Sequence, residues 1–202
     1  MPLIGDHAPE FHAMTTQGKI DFPADYKGSW VVLFSHPADF TPVCTTEFIA
    51  LSRMNETFES LNTKLIGLSI DSLHSHLGWI KSIEALNFNN EGKVKIPFPI
   101  IADISMNVAK KYGMLQTVAN TQTVRAVFII DPEGIIRTIL YYPMSTGRNI
   151  PEIIRILQSL QLNDKTHYST PANWQPGDAV VMGAPLTIEE AQERLESSDN
   201  TI

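Results

Sequence analysis

The chain has 202 residues, 43% of them hydrophobic, with a net charge of −7 and a single cysteine. A chain of this length buries about 70% of the surface that its unfolded form exposes, so we expect one large domain, alone or with a terminal extension. One cysteine excludes an intrachain disulfide, and the acidic balance disfavours nucleic acid as the main partner.

The chain begins with Met1–Asp6, which lacks the basic and apolar regions of a secretory signal. We therefore predict a cytoplasmic location. The longest apolar runs, such as Trp30–Phe34, are far shorter than the roughly 18 residues that span a bilayer, so we expect no membrane segment.

Short β-rich runs alternate with stretches of helical spacing between residues 20 and 161. Helices separate the first three predicted strands, which should therefore be parallel neighbours. Only Asp131–Gly134 separates the last two, so they should form an antiparallel hairpin. This order predicts an α/β, thioredoxin-like fold. The predicted strands are Trp30–Phe34, Leu65–Ile70, Phe98–Ile101, Ala126–Ile130 and Ile135–Tyr141, and the predicted helices are Val43–Leu61, Leu73–Leu86, Ile104–Tyr112 and Pro151–Leu160.

The C-terminal part of the chain differs in composition from the rest. Residues 164–202 hold seven acids and two bases, whereas the net charge of residues 1–163 is only −2. An acidic solvated tail is one interpretation. However, Trp174 and Val180–Met182 supply apolar anchors, and Thr187–Glu190 has the pattern of a capping box for a short helix. We therefore predict a core domain over residues 1–163 and a C-terminal arm over residues 164–202.

The single cysteine, Cys44, lies between a predicted buried strand and a predicted helix. Pro42 suits the first helical turn, and Thr41 is well placed as the N-cap residue. Cys44 would then lie in the first turn, where the helix N-terminus and a nearby cation favour the thiolate. A buried structural cysteine is the alternative, but its place in this helix start indicates a reactive nucleophile.

Pro37 and Thr41–Glu47 form a motif that resembles the peroxidatic segment of peroxiredoxins, the alkyl hydroperoxide reductase and thiol-specific antioxidant family. The downstream segment Tyr142–Asn149, together with a distinct C-terminal arm, is similar to the single-cysteine, peroxiredoxin-6-like subgroup. The similarity extends over nearly the whole chain. The other matching segments are Gly5–Phe11, Leu68–Ser72 and Arg125–Asp131.

The resemblance implies that Cys44 attacks a peroxide and becomes a sulfenic acid. The Thr41 hydroxyl would hydrogen-bond the peroxide, and the backbone N–H groups of Val43 and Cys44 would hold its oxygens. Arg125 would stabilise the thiolate and help to polarise the peroxide. These four residues would form the reacting centre.

The resemblance also implies residues that support this centre. Pro37 and Pro42 would shield the thiolate and shape the pocket. Glu47 and Arg148 would form an ion-pair network with Arg125, and its loss would misplace the cation.

The histidines support several interpretations. His36 and Cys44 could form a Cys–His hydrolase pair, although this spacing is weak evidence. His36 could equally be a structural, hydrogen-bonded histidine, and the resemblance favours a place in the peroxide pocket. His74 and His76 lie near Asp71, but at this spacing on a helix they point to different faces. We interpret them as surface and capping residues rather than metal ligands.

The predicted activity is the reduction of hydrogen peroxide and organic hydroperoxides without a bound cofactor, since no nucleotide fingerprint or zinc cysteine set is present in the sequence. An external thiol, thioredoxin-, glutaredoxin- or glutathione-like, would resolve the sulfenic acid. The resemblance implies a homodimer formed through the arm, or a decamer of such dimers. An oligomeric redox sensor or holdase chaperone using the same cysteine is the alternative, and a thioredoxin-fold binding module is a third interpretation.

Overall fold

The computed structural model describes residues 1–115 and 122–196, with side chains as far as residue 192. The chain divides into two compact units, Met1–Ile150 and Pro151–Ile202. Within the described ranges, no helix combines the length and the apolar character needed to cross a membrane. The last residues of the predicted arm, 197–202, lie outside the described residues.

One mixed sheet organises the first unit. Its strands in the described part of the chain are β1 (Phe11–Thr15), β2 (Gly18–Phe22), β3 (Trp30–Ser35), β4 (Thr63–Ser69), β5 (Ile100–Ala102), β6 (Arg125–Ile130) and β7 (Ile136–Tyr142). The strand order is β2-β1-β5-β4-β3-β6-β7. Strands β3, β4 and β5 are parallel neighbours, and β6 and β7 form an antiparallel pair. Both pairing predictions are confirmed.

The five predicted strands are present as β3–β7, with ends that differ by one or two residues. The hairpin of β1 and β2 was not predicted. Its buried positions are Phe11, Thr15 and Phe22, and Gly18, with φ of 107°, follows the turn. Thr15 pairs with Ile101, which joins this hairpin to the edge of the sheet.

Six α-helices lie in the described ranges: α1 (Pro42–Arg53), α2 (Asn55–Ser60), α3 (Leu73–Ala85), α4 (Asn107–Tyr112), α5 (Ile150–Thr166) and α6 (Ile188–Glu196). The single helix predicted over Val43–Leu61 is wrong, because the chain leaves helical geometry at Met54 (φ −92°, ψ 1°). Helix α4 starts later than predicted. The Asp103 carboxylate accepts the N–H groups of Val108 (3.2 Å) and Ala109 (2.7 Å) and so caps the helix at this point.

Strands β3 and β6 lie inside the sheet, and every residue of both is buried. Their continuous apolar runs fit strands that are covered on both faces. The two strands are antiparallel, with Phe34 opposite Val127. Therefore the end of β3 and the start of β6 lie at the same edge of the sheet, and Arg125 comes close to the beginning of α1.

The second unit contains the described part of the predicted arm. Trp174 is buried, and its indole N–H donates to the Asp178 carbonyl at 3.2 Å. The Thr187 hydroxyl accepts the N–H of Glu190 at 3.1 Å, as expected for the predicted cap of a short helix. This stretch is therefore folded rather than an acidic solvated tail. Helix α5 continues across residues 163 and 164, where the boundary between core domain and arm was predicted. The division into these two domains stays a prediction.

Candidate active site

The start of α1 presents backbone N–H groups next to the cysteine. Pro42 is the first helical residue and Thr41 is the N-cap, as predicted, but the Thr41 hydroxyl does not cap the helix. It donates instead to the Ala38 carbonyl at 2.9 Å. Within the described ranges no group accepts the N–H of Val43 or Cys44, since first-turn amides have no helical partner. These amides are thus available to a bound oxygen.

Arg125 is fixed against the thiol. Cys44 is fully buried, and Arg125 Nη1 donates to its Sγ at 3.2 Å. The same nitrogen donates to Glu47 Oε2 at 2.7 Å, while Nε and Nη2 donate to the Met144 carbonyl at 3.0 and 2.7 Å. Glu47 and the Met144 carbonyl therefore hold the guanidinium in a position where Nη1 contacts the sulfur. The contact places a positive charge directly against the sulfur.

Glu47 joins both predicted arginines. Arg148 donates to its carboxylate through Nε (2.9 Å), Nη2 (2.6 Å) and the backbone N–H (2.9 Å). Burial alone would raise the pKa of Glu47, but the charge and hydrogen bonds of Arg148, with the charge of Arg125, hold that pKa below its ordinary value. Arg148 Nη1 also donates to the carbonyls of Ser35 (2.9 Å) and Ala126 (3.2 Å), which ties the network to β3 and β6.

These contacts leave the buried cluster with two guanidinium charges and one carboxylate charge. Its net charge is therefore positive when Cys44 is a thiol and zero when Cys44 is a thiolate. Because charge buried without a partner is costly, this excess of positive charge suits a negative group held beside it.

Replacing Glu47 with glutamine should destabilise the protein most strongly near neutral pH. Glutamine leaves two buried guanidinium groups without their carboxylate, and breaking a buried ion pair in this way costs about 3 kcal/mol or more. Because the folded-state pKa of Glu47 is depressed, its stabilisation is present above the ordinary pKa and is lost as the pH falls through the folded value. The unfolding free energies of wild type and Glu47→Gln, measured by urea denaturation, should converge in acid.

Glu152→Gln is the matched control for this change. Glu152 pairs with Arg155 on α5, where both side chains are only partly buried, and such pairs contribute little. A small loss of unfolding free energy in Glu47→Gln, or a loss that does not shrink on acidification, would contradict the pairing of Glu47 with the two arginines.

A second buried polar cluster lies at the end of β3. His36 is fully buried, with Nε2 2.9 Å from Asp39 Oδ1, and His76 is fully buried with Nδ1 2.9 Å from Asp39 Oδ2. The interpretation of His76 as a surface or capping residue is therefore wrong, because it shares the inner face of α3 with Trp79. His74 is exposed, as predicted. The three side chains carry atoms of the kind that bind transition metals. However, the distances between the histidine nitrogens and the Asp39 oxygens are those of hydrogen bonds.

The two prolines predicted to shield the thiolate differ in burial. Pro37, directly after His36, is buried, whereas Pro42 is exposed. The shielding role of both prolines stays a prediction. Asp39 and Met144 were not predicted as site residues. Asp39 lies between Pro37 and Thr41 of the recognised motif and could have been noticed there, but Met144 contributes only its carbonyl, which leaves no signal in the sequence.

A buried thiol at a helix N-terminus, contacted by a fixed arginine at the edge of a thioredoxin-like sheet, is typical of a thiol-based oxidoreductase. Comparison with known proteins identifies the family within this class of oxidoreductases. The model of the AhpC/TSA family matches residues 4–139, and that of the C-terminal domain of 1-Cys peroxiredoxin matches residues 159–198. A peroxiredoxin of Methanosarcina mazei is 60% identical over 197 residues, which cover 96% of this chain and 90% of that protein.

Two solved structures are similar along the same length. A cysteine-to-serine mutant of Peroxiredoxin 6 of Arenicola marina has a TM-score of 0.85 at 39% identity, covering 96% of this chain and 89% of its own. The yeast mitochondrial 1-Cys peroxiredoxin, solved to explain thiol resolving via glutathione/thioredoxin systems, has a TM-score of 0.85 at 44% identity, covering 96% and 92%. The chain belongs to the peroxiredoxin family and is a thiol-dependent peroxidase. Its single cysteine agrees with a 1-Cys mechanism.

Proposed function

We propose that Cys44 is the peroxidatic nucleophile and that the chain reduces hydrogen peroxide and organic hydroperoxides. The observation that carries this proposal is the 3.2 Å contact between Arg125 Nη1 and Cys44 Sγ, at a helix start with two available amides. A fixed cation and aimed N–H groups suit a reaction in which negative charge moves from sulfur to a departing oxygen.

The first step forms a sulfur–oxygen bond and breaks the peroxide O–O bond. The thiolate supplies the electron pair, the sulfur is oxidised to a sulfenic acid, and the other oxygen leaves as water or an alcohol after taking up a proton. In the second step an external thiol attacks the sulfenic sulfur and releases water, which leaves a mixed disulfide. A second thiol then attacks this mixed disulfide, which releases Cys44 as a thiol and leaves a disulfide between the two external sulfurs.

Each contact near the thiol has a proposed part in the first step. The Thr41 hydroxyl, already donating to the Ala38 carbonyl, keeps lone pairs that accept the peroxide O–H. The N–H groups of Val43 and Cys44 donate to the peroxide oxygens. Arg125 stabilises the thiolate and the departing oxygen. Pro37 excludes water, Glu47 and Arg148 orient Arg125, and His36 lines the pocket.

The reductant is proposed to be a thioredoxin-, glutaredoxin- or glutathione-like thiol. With one cysteine in the sequence, no resolving thiol is available within it. The structurally similar yeast 1-Cys peroxiredoxin, described with the glutathione and thioredoxin systems, supports these reductant classes. The cytoplasmic location and the lack of a bound cofactor stay predictions.

Repeated turnover should separate the peroxidase from the redox-sensor or holdase alternative. With thiol in large excess, we expect peroxide consumption to continue far beyond one equivalent per chain, because each cycle restores Cys44. The measurement is the peroxide concentration over time with each candidate thiol. A single stoichiometric burst with every thiol would contradict the peroxidase and support the sensor.

The proposed assembly is a homodimer formed through the arm, or a decamer of such dimers. Leu186 and Ile188 are 91% and 74% exposed in the single chain, and a second copy would cover them. Sedimentation velocity at micromolar concentration should therefore show a dimer or larger species, which Ile188→Asp weakens and Glu189→Gln on the same helix leaves intact. A monomeric wild type would contradict this assembly.

A further inference from the structure

Beyond the place of His36 in the pocket, the cluster of His36, Asp39 and His76 has no part in the steps above, although all three side chains are buried. Its hydrogen bonds fix where its protons lie. His76 Nε2 is 3.2 Å from the Ile101 carbonyl, which only accepts, so Nε2 carries a proton. His76 Nδ1 lies 3.0 and 2.9 Å from the two oxygens of Asp39, and this contact also needs a proton.

Asp39 is the ionised member of the cluster. Burial raises its pKa, but hydrogen bonds from His36 and His76 outweigh this effect and hold the pKa well below its ordinary value. The hydrogen bond between the two residues is therefore donated by His76 Nδ1 to the Asp39 carboxylate.

His36 is the neutral member. Burial lowers its pKa and outweighs the opposing effect of Asp39. A neutral imidazole has one N–H, and the carboxylate of Asp39 at 2.9 Å from Nε2 selects that nitrogen. Nδ1 of His36 is then a free lone pair, and it is buried without a hydrogen-bond partner among the described residues. A buried acceptor left open in this way calls for an explanation.

The position of His36 relates this open acceptor to the thiol. Its ring lies 4.9 Å, between centroids, from the ring of Phe48 on α1. Phe48 follows Cys44 by one helical turn and so shares its face of the helix. Helix α3 holds the other side, with the Trp79 ring 4.9 Å from His36 and the Trp79 N–H 3.3 Å from Thr45 Oγ1.

We propose that Asp39 and His76 are positioning residues for peroxide reduction, which hold His36 as the Nε2–H tautomer so that its Nδ1 accepts the second O–H of incoming hydrogen peroxide, the one that Thr41 does not accept. His76 acts through Asp39, and Asp39 acts through His36. The backbone N–H of Asp39 donates to Asp71 Oδ2 at 3.0 Å, and this bond anchors the loop that carries the carboxylate. The proposal rests on the proposed peroxidase function, because it assigns these residues to that reaction.

The tautomer is tested directly by long-range ¹H–¹⁵N NMR of the histidine rings in the full-length reduced protein. We expect an unprotonated Nδ1 and a protonated Nε2 in His36. In Asp39→Asn, whose amide also donates, His36 should shift towards the Nδ1–H form. A wild-type His36 protonated at Nδ1 would overturn the proposal.

Kinetics separate positioning from a merely structural role. His76→Leu removes the donor to Asp39, and we expect the rate of Cys44 oxidation by peroxide to fall about 100-fold, the scale of a misplaced catalytic contact. His76→Asn restores a donor at the Nδ1 position and should recover most of the rate. The exposed His74→Asn on the same helix is the matched control and should match wild type.

Alkylation of Cys44 by iodoacetamide gives the second readout. Iodoacetamide brings no O–H group to the site. The rate of alkylation in His76→Leu should therefore stay within a small factor of the wild-type rate. An unchanged peroxide rate in His76→Leu, or an equal fall in both rates, would overturn the positioning role. A wild type that shows the expected tautomer but no peroxide turnover would overturn the proposed function and leave the tautomer assignment standing.

Discussion

Cys44→Ser is expected to lower peroxide consumption to the background rate while the protein stays folded. The reaction needs a sulfur that can become a sulfenic acid, and a serine hydroxyl has neither the nucleophilicity nor this oxidation state. Serine is close to cysteine in shape, and its oxygen can accept the Arg125 N–H that now reaches Sγ. The measurement is peroxide consumption with excess thiol, alongside thermal unfolding.

Met114→Leu is the matched control for this prediction. Met114 is also a fully buried sulfur-containing residue, but it lies in the core cluster of the sheet, and exchange of methionine for leucine conserves volume. We expect full activity in this variant. Activity that survives in Cys44→Ser would contradict the assigned nucleophile and favour a thioredoxin-fold binding module.

Arg125→Lys is expected to slow the oxidation of Cys44 by about 100-fold, the usual cost of removing one aimed donor at a developing anion. Lysine keeps the positive charge, but a single ammonium group cannot hold the Met144 carbonyl, Glu47 and the sulfur together as the guanidinium does. The loss should appear in the second-order rate constant for peroxide, measured by stopped flow on the reduced protein.

Arg137→Lys provides the comparison. Arg137 lies on β7 and pairs with Asp131, away from Cys44, so this exchange should leave the peroxide rate unchanged. If Arg125→Lys also retained the wild-type rate, the positive charge alone would suffice, and the geometric role of the guanidinium would be wrong.

Local patterns predicted most of the fold. Five short β-rich runs predicted β3–β7, and the short turn after Ile130 predicted the hairpin of β6 and β7. The break at Met54 was missed because both flanking segments have helical spacing. The β1–β2 hairpin was missed because its strands are short and only partly buried, which weakens their alternation.

The candidate site was harder to predict from residue types alone. Cys44 has a local signal in Pro42 and the helix start, but Arg125 is distant in sequence and reaches the sulfur only through the antiparallel register of β3 and β6. Only the family resemblance identified it. His76 had a local signal that was misread, since its spacing to the buried Trp79 and Ile83 places it on the inner face of α3.

Mass spectrometry of the wild-type protein after treatment with substoichiometric peroxide identifies the atom that is oxidised. We expect one added oxygen, at Cys44 alone, and its complete removal by a thioredoxin-, glutaredoxin- or glutathione-like thiol. Oxygen found on methionines while Cys44 stays unmodified would rule out Cys44 as the nucleophile.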